Sequence, residues 1–170
     1  MTRYRFDMEV LPLRDGMFRL AASLLSDRAE AEDAVQDVLE RLWLNRERFA
    51  RCASPAAFAM TAVRNACTDR IRGRNIRSKT AATIRAGACL TEDADRAMDE
   101  CDLGRLARSV IASLPEKQRL VIHLRDVEGY EMEEIAAMAE MEPPAVRMAL
   151  SRARKTVRER LQKIMEHGNR

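Results

Sequence analysis

"EMEEIAAMAEMEPPAVRMALSRARK", residues 131–155, reverses its charge across two prolines. Acidic residues precede the Pro143–Pro144 pair, only basic residues follow it, and small apolar residues run through both halves. Because a residue that precedes proline does not easily adopt helical angles, a second helix is expected to begin at Pro144. The stretch therefore predicts two short helices joined by a tight turn of four residues.

The second of these helices has one apolar and one basic face. The apolar positions share a 3.6-residue period; they are Val146, Ala149, Leu150, Ala153 and Val157. The positions that point away are Pro144, Met148, Ser151, Arg152 and Lys155, flanked by Arg147, Arg154 and Arg158. Two short helices with such a basic second member are typical of the helix-turn-helix, which places a helix in the major groove of DNA.

A plain helical hairpin with a solvated arginine-rich face is the alternative interpretation of the same pattern. Three features favour DNA binding instead. The small Ala136 stands where the two helices must cross closely, the turn is short, and cations are concentrated only after the turn. On this interpretation the acidic half supports the fold away from DNA, and the basic half meets phosphate.

The composition is that of a soluble, mainly helical protein. The chain has 170 residues, enough for one ordinary domain or two small ones. Charged residues make up 34% and aromatic residues only 4%, while the net charge is +3. No stretch alternates with a period of two, so we expect an all-α fold without a sheet.

The sequence predicts neither a membrane span nor a metal site. No apolar run is long enough to cross a bilayer, and "MTRYRFDMEV" at the start lacks a signal core, so a cytoplasmic location is expected. The cysteines form no CxxC pair, and only His123 and His167 could join them. They stand far apart, at Cys52, Cys67, Cys89 and Cys101. We therefore expect no metal and no cofactor, and small buried thiols in a reducing compartment.

Charge is sorted locally along the chain. Residues 64–85 hold seven cations against one acid, residues 92–102 are acidic, and cations dominate again from Arg147. Blocks of this kind suggest two surfaces that face DNA.

Helical periodicity is clear on both sides of a weakly periodic middle. An apolar stripe at 17–25 is followed by Asp27, a predicted N-cap with Glu30 three residues later. Further helices are predicted after Ser54, from Leu103, and from Pro115 to near Gly129. The expected organisation is a bundle at 1–75, a flexible linker at 76–102, and a bundle with the helix-turn-helix at 103–170. We expect the two bundles to move independently when the protein is free.

Three stretches resemble the extracytoplasmic-function sigma factors, the smallest group of the sigma-seventy family. Residues 113–161, "SLPEKQRLVIHLRDVEGYEMEEIAAMAEMEPPAVRMALSRARKTVRERL", resemble the promoter-reading C-terminal domain of that group. "SDRAEAEDAVQDVLERLW" at 26–43 and "FAMTAVRNACTDRIRGR" at 58–74 resemble the second conserved region, in the expected order. The resemblance implies a protein that binds core RNA polymerase, directs it to promoter DNA and helps to open the duplex.

The resemblance also assigns site residues. "DAVQD" matches the family's acidic core-binding motif, and the implied polymerase contacts are Asp33, Gln36, Asp37 and Glu40. The implied contacts to the minus-ten element are Arg51, Ser54, Phe58, Thr61, Arg64, Asn65, Thr68, Arg72 and Arg74. Those to the minus-thirty-five element are Pro144, Ala145, Arg147, Met148, Ser151, Arg152, Arg154 and Lys155. An anti-sigma factor is a further partner that the resemblance allows for, and a monomer is expected when the protein is free.

The sequence departs from the family pattern at a few of these positions. The family often has Trp where Phe58 stands and Arg where Thr61 stands, and its turn usually holds Gly where Glu140 stands. Glu142, beside a helix N-terminus, should repel a phosphate that this end would otherwise attract.

Two other classes of protein fit less well. A helix-turn-helix regulator that acts without polymerase would be expected to dimerise and bind a palindrome, but the first bundle shows no ligand-pocket signature. A nucleic-acid enzyme would need a metal-binding or phosphate-binding motif, and the sequence has none. His123 stands on an otherwise apolar helix and is expected to be a core or boundary residue.

Overall fold

The computed structural model describes residues 3–25, 27–82 and 102–168, and all regular structure in these ranges is helical. The N-terminal bundle consists of α1 (Arg3–Leu25), α2 (Arg28–Leu44), the single turn α3 (Arg46–Phe49) and α4 (Pro55–Ala82). The C-terminal bundle consists of α5 (Asp102–Ala112), α6 (Glu116–Ile122), α7 (Met132–Ala139) and α8 (Pro143–Gly168). The predicted all-α class is confirmed.

Helix α1 is longer than the sequence pattern indicated. The stripe that begins at Met17 is buried as expected, but the helix extends back to Arg3 and also buries Phe6 and Val10. Pro12 lies inside this helix. Because proline lacks an N–H and usually interrupts a helix, the apolar residues before it do not look like part of the same stripe.

Helix α2 begins as the sequence predicts. The Asp27 carboxylate accepts a hydrogen bond from the backbone N–H of Glu30 at 2.9 Å, which satisfies one of the free donors of the first turn. The helix then buries one continuous face, consisting of Ala31, Ala34, Val35, Val38 and Leu42. The opposite face is left to solvent.

Helix α4 runs past the predicted domain boundary. The hydroxyl of Ser54 accepts a hydrogen bond from the N–H of Ala57 at 3.3 Å and so caps the helix start. The helix continues to Ala82, so the first residues of the predicted linker are helical. The remainder of that linker, 83–101, lies outside the described residues.

In the C-terminal bundle, α6 widens before it ends. A π-helical segment, His123–Val127, follows Ile122 directly, and the backbone N–H of Glu128 donates to the carbonyl of His123 at 3.1 Å. The chain then turns at Gly129, whose φ of 78° favours glycine. The predicted end near Gly129 is confirmed, but the wide π turn is not visible in the sequence pattern.

The turn between α7 and α8 has three residues, not the predicted four. Glu140 adopts a left-handed conformation with φ of 52°, and the N–H of Met141 donates to the carbonyl of Ala136 at 3.0 Å. This is the Schellman arrangement that commonly ends a helix, usually with glycine at the left-handed position. A glutamate there carries a backbone cost of about 1–2 kcal/mol.

The two bundles pack against each other. Helix α4 contacts α7, and α1 contacts α5 and α6. Among the described residues, all the buried apolar residues of both bundles except Val110 belong to one continuous cluster. The sequence led us to expect bundles that move independently, but the structure holds them in contact. This packing brings the first helix-turn-helix member against the helix that carries the predicted minus-ten residues.

Candidate DNA and polymerase interface

The predicted polymerase-binding residues form one exposed face of α2. Asp33, Gln36, Asp37 and Glu40 are all exposed, and they lie opposite the buried face of the helix. Within the described residues, no hydrogen bond or ion pair is found for Asp33, Gln36 or Glu40. These three side chains are therefore available to a basic partner surface.

Asp37 differs from the other three because it has a partner inside the protein. Its carboxylate lies 2.5 Å from the guanidinium of Arg70 on α4. The Arg70 side chain is only 24% exposed, whereas that of Asp37 is 50% exposed. The pair joins α2 to α4, so Asp37 has a structural role in addition to any role in binding.

The residues at the start of the predicted minus-ten surface also support the fold. Ser54 caps α4, and Phe58 lies half-buried with its ring 6.1 Å from the ring of Phe49. The hydroxyl of Thr61 donates to the carbonyl of Ala57 at 2.8 Å, within its own helix. Arg51 is exposed, and its Nε donates to the carbonyl of Glu47 at 3.2 Å. The side chains of Ser54, Phe58 and Thr61 are thus already engaged inside the protein, so a contact with nucleic acid would have to keep or replace these interactions.

The middle of the same surface is covered by the C-terminal bundle. The Arg64 guanidinium pairs with the carboxylate of Glu140, and its side chain is only 14% exposed. The Thr68 hydroxyl donates to the carboxylate of Glu116 at 3.0 Å. Asn65, between them, is exposed. Two residues predicted to contact DNA thus contact the other bundle in this structure.

The end of the minus-ten surface is open to solvent. Arg72 is exposed and stands 3.9 Å from Asp69 one turn earlier, and Arg74 lies 3.2 Å from Glu30 at the start of α2. Ion pairs near the surface contribute little to stability.

Helix α8 has the two faces that the sequence predicts. Its buried positions include Val146, Leu150 and Ala153, whose side chains pack into the core. All the predicted minus-thirty-five residues are exposed; they are Pro144, Ala145, Arg147, Met148, Ser151, Arg152, Arg154 and Lys155. Such an arrangement leaves one basic side of a long helix free to enter a groove.

Two cations of this face are already paired. Arg154 forms an ion pair with Asp126 in the π-helical segment, and Lys155 lies 3.8 Å from Glu159 one turn later. The hydrogen bond to Asp126 raises the pKa of Arg154. For Arg147, Ser151 and Arg152, the described residues provide no comparable partner.

A second ion pair between the bundles was not predicted from the sequence. Arg19 on α1 donates from Nε and Nη2 to the two carboxylate oxygens of Glu128, at 2.8 and 2.9 Å. A Cβ at Gly16, one turn before Arg19, would stand 3.0 Å from this carboxylate and 2.8 Å from the Cε of Met60. An isolated glycine inside a helical pattern is the one signal that could have indicated this close approach.

Two ionisable side chains, His123 and Cys67, are buried in the core. His123 is 5% exposed, as expected for a core residue. Burial lowers its pKa, although the neighbouring Glu128 acts in the opposite direction. Burial raises the pKa of the Cys67 thiol to about 12, which makes this thiol unreactive. Cys52 is half-buried, and Cys89 and Cys101 lie outside the described residues.

Metal-ligand clusters and membrane-spanning helices are both absent from the described ranges. Residues 3–25, 27–82 and 102–168 contain no cluster of three or more metal-ligating side chains. None of the helices in the same ranges combines the length and the apolarity that a bilayer crossing requires.

Comparison with protein families assigns both bundles. Residues 10–76 match the model of sigma-70 region 2, and residues 105–157 match that of sigma-70 region 4. The chain belongs to the sigma-70 family. The acidic α2 and the start of α4 thus fall within region 2, and the helix-turn-helix falls within region 4.

Two curated sigma factors are similar to this sigma factor in sequence. The extracytoplasmic-function sigma factor SigL of Mycobacterium tuberculosis is 28% identical over 152 residues, which cover 87% of this chain and 84% of SigL. The probable sigma factor RfaY of Xanthomonas campestris pv. campestris is also 28% identical, over 150 residues. The aligned part covers 84% of this chain but only 36% of RfaY. The sigma factor described here is of the extracytoplasmic-function type.

Solved structures share the arrangement of the helices. The sigma factor RpoE of Bartonella quintana, crystallised with the anti-sigma factor NepR, gives a TM-score of 0.78 at 25% identity. That match covers 93% of this sigma factor and 97% of RpoE. CnrH, in complex with the cytosolic domain of CnrY, has the same fold with a TM-score of 0.67 at 20% identity.

Proposed function

We propose that this protein is a promoter-recognition subunit of bacterial RNA polymerase, which binds the core enzyme, reads promoter DNA and assists its opening. The observation that carries the proposal is the pairing of two regions on one chain. Region 2 presents an acidic face on α2, and region 4 presents a basic face on α8 opposite a buried apolar stripe. A regulator that acts without polymerase is not favoured, because it would make no use of the exposed acidic face of α2.

In this proposal the polymerase meets the exposed face of α2. Asp33, Gln36 and Glu40 supply acceptor oxygens and negative charge to a basic surface, which gives specificity and a high association rate. Asp37 contributes its outer oxygen while Arg70 holds the other side of the carboxylate.

Region 2 would capture the minus-ten element as a single strand. The exposed Arg51, Asn65, Arg72 and Arg74 line α4 and the turn before it, where they could hold phosphates and one base edge. Removing a base from the stack costs a few kcal/mol, which hydrogen bonds and stacking must offset. Arg64 and Thr68 would join this surface once they leave their partners in region 4.

Region 4 would read the minus-thirty-five element through α8. Arg147 and Ser151 lie on its outward face near the N-terminal end, which is the part of a recognition helix that reaches base edges. Arg152 and Lys155 follow on the same side and suit phosphate oxygens.

The remaining parts of the proposal concern partners and setting. The protein would act without catalysis of its own, in the cytoplasm, and as a monomer when free. The structurally similar sigma factor RpoE was solved with the anti-sigma factor NepR, and CnrH was solved with the cytosolic domain of CnrY. We propose that an anti-sigma factor regulates this protein as well.

Run-off transcription tests the proposal directly. Purified protein is added to core RNA polymerase on a pool of genomic promoter fragments, with core enzyme alone as the control. We expect transcripts from a defined subset of promoters that share two elements at fixed spacing. Tight binding of the free protein to a palindrome, without any effect on core polymerase, would establish the repressor instead.

A further inference from the structure

Arg154 on α8 is held by a carboxylate from another part of region 4. Its Nε donates to Oδ2 of Asp126 at 3.0 Å, and its Nη2 donates to Oδ1 of the same carboxylate. Asp126 lies in the π-helical segment, 28 residues earlier in the chain. Because the Arg154 side chain is still 50% exposed, its guanidinium is bound along one edge and remains accessible to another ligand.

The position of Arg154 on α8 places it beside the proposed base-reading residues. Arg147, Ser151 and Arg154 are exposed and are spaced at i, i+4 and i+7, so they share one side of the helix. Arg154 lies about two turns beyond Arg147, roughly 10 Å further along the axis. A groove that receives Arg147 and Ser151 is therefore within reach of Arg154 as well.

Both members of the pair stand on backbone that the core holds in place. Ala153, next to Arg154, is fully buried. His123 and Leu124 are also buried, and they anchor the start of the segment that carries Asp126. The extra residue of a π turn changes side-chain directions relative to a regular α-helix, and such turns are frequent at functional sites. The direction of the Arg154 guanidinium is thus set by the fold.

The pair leaves a second donor fork of Arg154 outside it. A guanidinium has five N–H groups, and Asp126 takes that of Nε and one of Nη2. Both N–H groups of Nη1 and the second N–H of Nη2 remain. The end of the guanidinium therefore presents two parallel donors, one from each Nη. Such a fork matches O6 and N7 of guanine in the major groove, and it also matches two oxygens of a phosphate.

The charge of the pair favours guanine over phosphate. Asp126 and Arg154 together carry no net charge, so they add little to the attraction of the DNA backbone, which depends on net cations. A carboxylate that fixes the fork instead removes rotamer freedom that a bidentate contact would otherwise lose. For Arg147 and Arg152, the described residues provide no comparable acid. The restraint therefore suits a directional contact at one position of the helix.

From this geometry we propose that Asp126 is a positioning residue for promoter reading, which aligns the outer fork of Arg154 with a guanine of the minus-thirty-five element. The inference rests on the proposed function, since it requires that α8 lie in the major groove. Asp126 touches no DNA and acts through Arg154. Its removal should change which sequences are preferred without a general loss of DNA affinity.

Promoter selection with the assembled holoenzyme tests the inference. Sigma factor and core polymerase are incubated with promoter fragments randomised in the minus-thirty-five element, and the bound fragments are sequenced. We expect Asp126→Ala to reduce the preference for guanine at one position about tenfold and to keep the other positions. The control Glu166→Ala removes an exposed acid near the end of the same helix and should select as the wild type does. An Asp126→Ala logo equal to that of the wild type would overturn the proposal.

A salt titration distinguishes guanine from phosphate as the ligand. Asp126→Ala leaves Arg154 as a net cation, so the slope of log K against log salt should steepen by about one, and fragments without the preferred guanine should bind more tightly. Arg154→Lys keeps the charge but not the fork, and it should lose the same guanine preference. If Arg154→Lys weakens binding to all sequences equally and leaves the logo unchanged, Arg154 contacts phosphate and the proposal is wrong.

The double variant Asp126→Ala with Arg154→Lys distinguishes positioning from a purely structural role. If Asp126 acts only through Arg154, the double variant should lose no more guanine preference than Arg154→Lys alone. A further loss spread over several positions, with a lower melting temperature by circular dichroism, would show that Asp126 supports the fold instead. Failure of the proposed function is a separate observation, because the wild-type holoenzyme would then select no sequence and give no run-off transcript.

Discussion

The carboxylate of Asp37 on α2 lies against the guanidinium of Arg70 on α4. One acid of the proposed polymerase face thereby also joins the two helices of region 2 that carry the proposed polymerase and DNA surfaces. Its neighbours Asp33 and Glu40 show no such internal contact among the described residues. Asp33 and Glu40 are therefore expected to act only in polymerase binding, whereas Asp37 is expected to act both in binding and in the stability of region 2.

Reversing Asp33 and Glu40 should abolish assembly without affecting folding. Both lie on the exposed side of α2, so Asp33→Lys with Glu40→Lys should change the free energy of unfolding by less than about 0.5 kcal/mol. Like charges against a basic partner should remove binding to core polymerase. Binding is measured by fluorescence anisotropy of labelled protein, and stability by thermal melting.

The same measurement includes two comparisons. Glu133→Lys with Glu166→Lys carries the same change in charge on the other bundle and should keep binding. Asp37→Lys should weaken binding and also lower stability, by up to about 1 kcal/mol, because it breaks the pair with Arg70. Unimpaired assembly in the Asp33 and Glu40 variant would exclude this face as the polymerase contact.

Arg147 and Lys155 should differ in what they contribute to DNA binding. Arg147→Ala is expected to relax base preference at one or two positions of the minus-thirty-five element, at a cost of roughly 1–3 kcal/mol. Lys155→Ala should weaken binding to all sequences and reduce the slope of log K against log salt by about one. A promoter-selection experiment and a salt titration separate the two effects.

Lys117 on α6 provides the control for this pair. It is an exposed cation outside the recognition helix, and Lys117→Ala should leave both the selected sequence and the salt slope unchanged. If wild type and Arg147→Ala select the same sequence logo, Arg147 does not read bases.

Substitutions at Glu140 should separate backbone strain from the ion pair. Glu140→Ala and Glu140→Gly both lose the pair with Arg64, but only glycine is relaxed at a φ of 52°. The glycine variant should therefore be more stable than the alanine variant by about 1–2 kcal/mol. Urea unfolding followed by circular dichroism measures the difference, and equal stabilities would show that the left-handed turn carries no strain.

Buried His123 should make stability depend on pH. Burial lowers its pKa in the folded protein, so between that value and the unfolded value of about 6.5 the unfolded chain binds more protons. Stability from this group is present above the unfolded pKa and decreases as the pH falls below it. The charged groups facing the imidazole are Glu128, which opposes the shift, and Arg19, which supports it.

The measurement is the urea midpoint of unfolding between pH 8 and pH 5.5. The wild type should lose stability toward the acidic end, and His123→Gln, which stays neutral, should show a flatter profile. A wild-type midpoint that is constant or increases toward pH 5.5 would contradict the lowered pKa.

Local patterns in the sequence predicted the local features of this fold. The 3.6-residue period assigned both faces of α8, including buried Val146 and exposed Arg147, because that helix packs on one side only. The Asp27 cap was predicted for a similar reason, since its partner is three residues away. The front half of α1 was missed, because Pro12 interrupts the expected pattern.

The contacts between the bundles could not be predicted in this way. Arg64 and Glu140 are 76 residues apart, and Arg19 and Glu128 are 109 residues apart. Each of these residues is a charged side chain in its own bundle, where the ordinary interpretation is solvation. Periodicity describes which side of a helix is apolar, but it contains no information on which charged side chains will meet.

The π-helical segment His123–Val127 contains one residue more than a regular α-helix would need for the same turn. A π turn accommodates one residue more than an α turn, so removing one residue here would restore regular α-helix. Each residue of an α-helix advances the chain by about 100°. Glu128, which follows the segment, would therefore stay on the side that faces Arg19, whereas Asp126 inside the segment would shift relative to Arg154. The extra residue thus makes this turn the place where region 4 can lose one residue and keep both flanks in register, at the expense of the pair between Asp126 and Arg154.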